Sequence, residues 1–138
     1  MADNQKLRDF GLLLIRVALA MVMIHHGAQK LFGLFGGKGL VATLEGFQAG
    51  MGIPQWLGML AVIAEFFGGL GLAVGLLTRL AAFGVFVTMA VAAFTHIQKG
   101  DSFAGFEFPL ALALVALGIM ATGAGQFAVE AMFKKKRR

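Results

Sequence analysis

Trp56-Leu57-Gly58-Met59-Leu60-Ala61-Val62-Ile63-Ala64-Glu65-Phe66-Phe67-Gly68-Gly69-Leu70-Gly71-Leu72-Ala73-Val74-Gly75-Leu76-Leu77 decides the fold. The run is apolar throughout except for one carboxylate, Glu65. Roughly 20 consecutive apolar residues cross the hydrocarbon core of a bilayer, and this run is that long. An ionised carboxylate at such depth costs roughly 2.5–3.5 kcal/mol on insertion scales. A residue kept there against that cost has a partner, a water-filled pocket or a task.

The rest of the chain agrees with a membrane setting. Of 138 residues, 59% are hydrophobic and only 14% charged, against about 25% charged in soluble domains. Mean hydropathy is +0.83. Three further apolar stretches lie at 10–31, 80–97 and 108–123, so the spans expected are 10–31, 56–77, 80–97 and 108–123. The first follows Lys6 and Arg8, is too long for a signal-peptide core and lacks a small-residue cleavage site, so it reads as a retained span. In the fourth, Pro109 falls in the first turn, where proline is tolerated. Between the first two spans, Leu40, Leu44, Phe47 and Met51 recur at helical spacing with Glu45 and Gln48 between them. The fold class expected is an all-α membrane protein, a four-transmembrane-helix bundle with a short amphipathic surface helix between helices 1 and 2. One domain covers 1–138, ending in a basic tail at 134–138.

Charge sets the orientation. Nine of the twelve Lys and Arg residues lie on the side shared by both termini and the expected tight turn at Thr78-Arg79. Positive residues favour the cytoplasm, which puts both termini there, in the bacterial inner membrane. The same assignment explains a pI near 10.1 without nucleic acid. With no Cys, thiolate catalysis and Cys-ligated metal are excluded. The glycine-rich run Gly33-Leu34-Phe35-Gly36-Gly37-Lys38-Gly39 has no Ser or Thr after Lys38 and misses the phosphate-loop pattern.

Depth and facing then select candidates. At 1.5 Å of rise per residue, Glu65 lies roughly 13 Å from the outer end of its helix, His26 roughly 8 Å and Arg16 roughly 22 Å, with His96 and Glu107 near the mouth. Arg16, Leu19, Met23, His26 and Lys30 form one stripe of helix 1, while His25 belongs with Ala18, Met21 and Gln29. Small residues flank Glu65 at Ala61, Gly68 and Gly69, which marks a closely packed face. Each polar residue also has a purely structural reading. Glu65 either works or holds an ion pair with Arg16, His26 or Lys30. Arg16 either joins the site or snorkels to the inner surface. His96 and Glu107 either join it or form a solvated rim. Arg79 reads as a topology anchor, and the tail as an anchor to anionic lipid. Adjacent His25 and His26 point about 100° apart and chelate poorly together. A haem between His26 and His96 suits a bundle, but nothing in the spacing favours it.

Several of these segments resemble the DoxX family of small four-span bacterial membrane proteins. His26-Gly27-Ala28-Gln29-Lys30-Leu31-Phe32-Gly33 is similar to its HGxQKLFG-type segment. Glu65-Phe66-Phe67-Gly68-Gly69, with Gly75-Leu76-Leu77-Thr78-Arg79-Leu80-Ala81-Ala82, resembles its EFxGG…GLLTRLAA signature. His96 and Phe106-Glu107-Phe108 stand where family members carry similar residues. Gly123-Ala124-Gly125-Gln126-Phe127 departs from a GPGR-type segment, with Ala for Pro and Gln for Arg. The resemblance covers nearly the whole chain. Members are grouped with the small membrane subunit of a thiosulfate:quinone oxidoreductase, or described as oxidoreductases or partners of redox-stress enzymes.

The resemblance implies redox association. Together with the intramembrane polar set, it leads to a quinone-linked membrane oxidoreductase subunit. Glu65 and His26 are the candidate catalytic residues, and Arg16, His26, Lys30, Glu65, His96 and Glu107 the candidate quinone-binding set. No metal site is expected. Since the chain has no electron carrier of its own, electrons come from a redox-enzyme partner or bound cofactor. Membrane lipid and a second copy of the chain are further expected partners. Two readings compete: a non-enzymatic carrier or binder of a lipid or amphipathic small molecule, and a structural scaffold subunit.

Overall fold

A computed structural model describes residues 2–136, with side chains described from Asp3 to Lys134. Among the described residues six helices follow one another: α1 Ala2–Phe32, α2 Leu40–Met51, α3 Gln55–Val74, α4 Thr78–Gln98, α5 Phe103–Thr122 and α6 Val129–Lys136. The described residues contain no strand. By length and composition, α3, α4 and α5 are each able to cross a membrane.

Helix ends differ from the sequence expectation in three places, each for a local reason. First, α1 starts at Ala2 rather than near residue 10, because helix geometry continues outside an apolar stretch where nothing breaks it. Second, α3 stops at Val74, where Gly75 takes a left-handed cap (φ 73°) and both Gly75 and Leu76 donate to the Gly71 carbonyl. Thr78-Arg79 is therefore not the turn. It opens α4, and the turn is Gly75–Leu77, with Leu77 also at positive φ (49°). Third, α5 begins at Phe103, so Pro109 lies inside the helix and not in its first turn. The helix starts five residues before the expected span, and Phe103 and Phe106 pack edge-to-face there, ring centroids 5.4 Å apart. Of the basic tail, Arg137 and Arg138 lie outside the described residues, as do the side chains of Lys135 and Lys136.

The long helices pack in the order α1, α3, α4, α5, and α5 touches α1 along a much shorter seam. One core joins all four through Leu19 and Met23, Leu72, Val85 and Met89, and Ala116 and Ile119. Outward faces carry Leu60, Phe67, Phe83, Leu114 and similar residues in the open, as lipid contact requires. Glycines set the α1–α3 spacing. A Cβ at Gly27 would sit 2.7 Å from the Phe66 Cα, and one at Gly69 would meet Ile24 and Met23 at 2.9–3.1 Å. Only a residue without a side chain permits that approach.

Candidate functional site

The close passage of α1 over α3 brings together Lys30 and Glu65. Lys30 is one turn beyond Gly27, and Glu65 directly precedes Phe66, so the Gly27–Phe66 contact places their side chains face to face. Lys30 Nζ lies 2.6 Å from Glu65 Oε1 and 2.5 Å from Oε2, so one ammonium holds both carboxylate oxygens. The two ends differ in exposure: the Glu65 side chain is 2% exposed and that of Lys30 27%. A long lysine stem lets the ammonium reach a buried carboxylate while one face stays open. Two ammonium protons serve Glu65, which leaves the third free.

His26 shares the Lys30 stripe one turn away, half-buried and within electrostatic reach of both Lys30 and Glu65. Its ring stands 6.1 Å from Phe108 of α5, across the short α1–α5 seam. His25 points elsewhere, as its different stripe predicts, and stacks on Phe35 with centroids 4.9 Å apart.

The remaining candidates are not gathered here. Arg16 is 2% exposed but sits at the opposite end of the bundle. Its guanidinium donates to the carbonyls of Ala124 and Phe127, the latter at 2.6 Å, in the link between α5 and α6. Its Nε is buried with no partner. Arg16 therefore neither snorkels nor joins Glu65. Fourteen residues of helix, roughly 21 Å, separate it from Lys30. His96 pairs with Asp101 at 2.6 Å on an exposed surface. Glu107 is exposed, with no hydrogen bond among the described residues. Arg79 lies at the Arg16 end and donates to the Ala121 carbonyl at 3.4 Å. No group of three His, Asp or Glu side chains is placed to hold a metal among the described residues.

Sequence reading missed two acids at the Arg16 end. Asp9 is buried, two turns before Arg16 on the same stripe, and that seven-residue spacing was the available signal. Glu130 accepts from the Thr78 backbone N–H at 3.0 Å and so caps α4 from α6, a long-range contact no local pattern announces.

The family model described as DoxX matches residues 11–98, which include Arg16, His26, Lys30, Glu65 and His96. An uncharacterized protein of Haemophilus influenzae (strain ATCC 51907 / DSM 11121 / KW20 / Rd) is 34% identical over 142 residues, covering 99% of this chain and 100% of that protein. "Inner membrane protein YqjF" of Escherichia coli (strain K12) is 27% identical over 135 residues, covering 96% and 98%. "Putative oxidoreductase CatD" of Bacillus subtilis (strain 168) is 27% identical over 130 residues, covering 94% and 92%. No solved structure matches the chain at a significant level.

Proposed function

The chain belongs to the DoxX family of membrane proteins, and from that premise we propose that it is a small subunit of a membrane redox system that binds quinone beside the Lys30–Glu65 pair. One observation carries the reading: a carboxylate 1% exposed, in a helix apolar enough to span, is held by a lysine that keeps an open face. Burial demands a partner for Glu65, but full neutralisation did not demand a partner with access to the outside. The relative named as an oxidoreductase supports the same class of chemistry.

The residues fit a quinone head. Lys30 has a proton to donate beyond those given to Glu65, and His26 supplies a second donor one turn away. Phe108 and the apolar faces of α1 and α5 suit the ring, and the short α1–α5 seam suits entry from lipid. A bound quinone would accept two electrons from a partner protein and two protons. Lys30 and His26 would orient its carbonyls. Glu65 would hold a proton, or release one, while Lys30 moves between carboxylate and ligand.

Membrane placement belongs to the same proposal. With α1 as a fourth span, α2 lies on the outer surface of the bacterial inner membrane and both termini face the cytoplasm, as charge asymmetry favours. The name of the Escherichia coli relative agrees with that membrane.

The test is quinone binding by protein purified with its lipids retained. The expected result is co-purifying quinone that Glu65→Gln and Lys30→Met each reduce at least about tenfold, equivalent to about 1.4 kcal/mol. Absence of quinone from the native protein, or retention unchanged in both variants, refutes the reading. Substrate flux that depends on Glu65 without any redox change would instead favour a carrier.

A further inference from the structure

The end of the bundle opposite Lys30 holds a second group of charges that the quinone reading leaves unused. Asp9, Arg79, Glu130 and Lys134 all line one cavity of about 700 Å³, between the start of α4, the α5–α6 link and α6. Two are acids and two are bases, yet no ion pair joins any of them among the described residues. Glu130 gives one oxygen to the Thr78 N–H, at 3.0 Å. Asp9 is 3% exposed, and among the described residues it accepts only from Gln5, at 3.3 Å. Arg79 reaches the Ala121 carbonyl at 3.4 Å, which leaves most of its five N–H donors unused. Thr78, fully buried in the same wall, has a hydroxyl with no hydrogen-bond partner among the described residues. A buried hydroxyl without a partner carries a desolvation cost that a ligand atom would offset.

This polar basin is continuous with an apolar groove. Leu77 and Leu80 line both. The groove, of about 600 Å³, lies between α3 and α4, and every residue lining it is apolar. Gly68, Gly71 and Gly84 keep it open, while Leu60, Phe67 and Phe83 stand exposed along it. It follows α3 from Leu60 to Val74, roughly 21 Å of helix, more than half of the roughly 30 Å hydrocarbon core of a bilayer. Leu77, held at positive φ (49°) in the α3–α4 turn, marks the junction of groove and basin.

One kind of molecule matches both parts. An acyl chain fits the groove. The basin fits a headgroup that carries both signs of charge. A phosphate meets Arg79 and Lys134. A primary ammonium has three N–H donors for Asp9 and the second oxygen of Glu130, and the Thr78 hydroxyl can serve either group. A purely anionic headgroup leaves the two acids unmatched. A quaternary ammonium has no N–H to give them.

We propose that the basin and groove together bind a phospholipid whose headgroup carries a primary amine, phosphatidylethanolamine. Its phosphate lies on Arg79 and Lys134, its ammonium on Asp9 and Glu130, and one acyl chain between α3 and α4. The site does not rest on the quinone reading, since it shares no residue with the Lys30–Glu65 end.

The test is thermal unfolding of the full chain in a non-ionic detergent. Short-chain phosphatidylethanolamine, phosphatidylcholine, phosphatidylglycerol and diacylglycerol of matched chain length are titrated in parallel. A saturable rise in Tm is expected with phosphatidylethanolamine, at an apparent affinity at least about tenfold above that for each of the other three. Asp9→Asn and Glu130→Gln should each bring phosphatidylethanolamine down toward phosphatidylcholine, with phosphatidylcholine itself unchanged. Arg79→Ala should weaken both of these lipids alike, about tenfold, as loss of a phosphate contact requires. Equal rises with all four lipids mean a lipid coat without a site and overturn the proposal. So does the absence of a saturable rise with phosphatidylethanolamine, or a preference for it that both acid variants keep. A stronger rise with phosphatidylglycerol assigns the basin to an anion and overturns the amine. The preference compares lipids within one variant, so a general loss of stability does not imitate it. Arg79 is exposed, so its variant keeps the test decisive if substitution of buried Asp9 impairs folding.

Discussion

Lys30 and Arg16 are cations on one stripe of one helix, yet the structure satisfies them in opposite ways. Lys30 meets a carboxylate from a neighbouring helix and keeps an open face. Arg16 is sealed and meets two backbone carbonyls in the α5–α6 link. Neutral carbonyls at fixed positions hold a permanent guanidinium, and of the two acids at that end Glu130 already caps α4. A carboxylate can take a proton, and a half-exposed ammonium can change partner. The Arg16 end is therefore a clamp, tying α1 to the chain beyond α5, with Glu130 joining α6 to α4 nearby. The proposed quinone site belongs to the Lys30 end.

The difference can be broken by substitution, and stability in detergent measured by denaturant titration ranks the effects. Lys30→Met should cost most, about 3–5 kcal/mol, because it strands a buried carboxylate. Adding Glu65→Met to that variant should restore most of the loss while abolishing quinone retention. Stability restored with quinone binding intact would make the pair a scaffold. Arg16→Met should cost about 2–4 kcal/mol through its two orphaned carbonyls, yet leave quinone retention unchanged in the folded fraction. Equal loss of quinone in the Arg16 variant would join the two ends into one site.

Smaller changes sharpen the contrast. Gly27→Val should cost about 1–3 kcal/mol by forcing α1 off Phe66, and should weaken quinone retention because Lys30 moves with the helix. Glu130→Gln should cost about 1 kcal/mol as the α4 cap weakens, with no effect on quinone. His96→Asn should change stability by less than about 0.5 kcal/mol, since its pairing with Asp101 is exposed, and should leave quinone retention unchanged. A strong functional effect there would return His96 to the site.

Some of this is legible in the sequence. The stripe Arg16, Leu19, Met23, His26, Lys30 follows from helix period alone, and so does the separation of His25 from it. Gly68 and Gly69 beside Glu65 marked a close contact. Depth along the helix put Arg16 only roughly 9 Å below Glu65, so Arg16 stayed in the binding set that the structure divides between the two ends of the bundle. His96 and Glu107 were grouped with Glu65 by depth only. Depth does not specify which way a helix end faces, and Asp101, five residues on, draws His96 to the surface. Pro109 misled for a different reason: helix boundaries were set where hydrophobicity fell, and α5 continues through that fall.

Periodicity, apolar length and the cost of a charge in lipid were enough for the sequence to specify apolar helices and to single out Glu65, because those quantities are local to a segment. Which of three cations would hold that carboxylate was not local. It was decided where Gly27 lets α1 settle on Phe66, since only that contact brings Lys30 within 2.6 Å of both oxygens. The same holds for Glu130 on α4: the pairing joins separate elements, and only packing in three dimensions sets it.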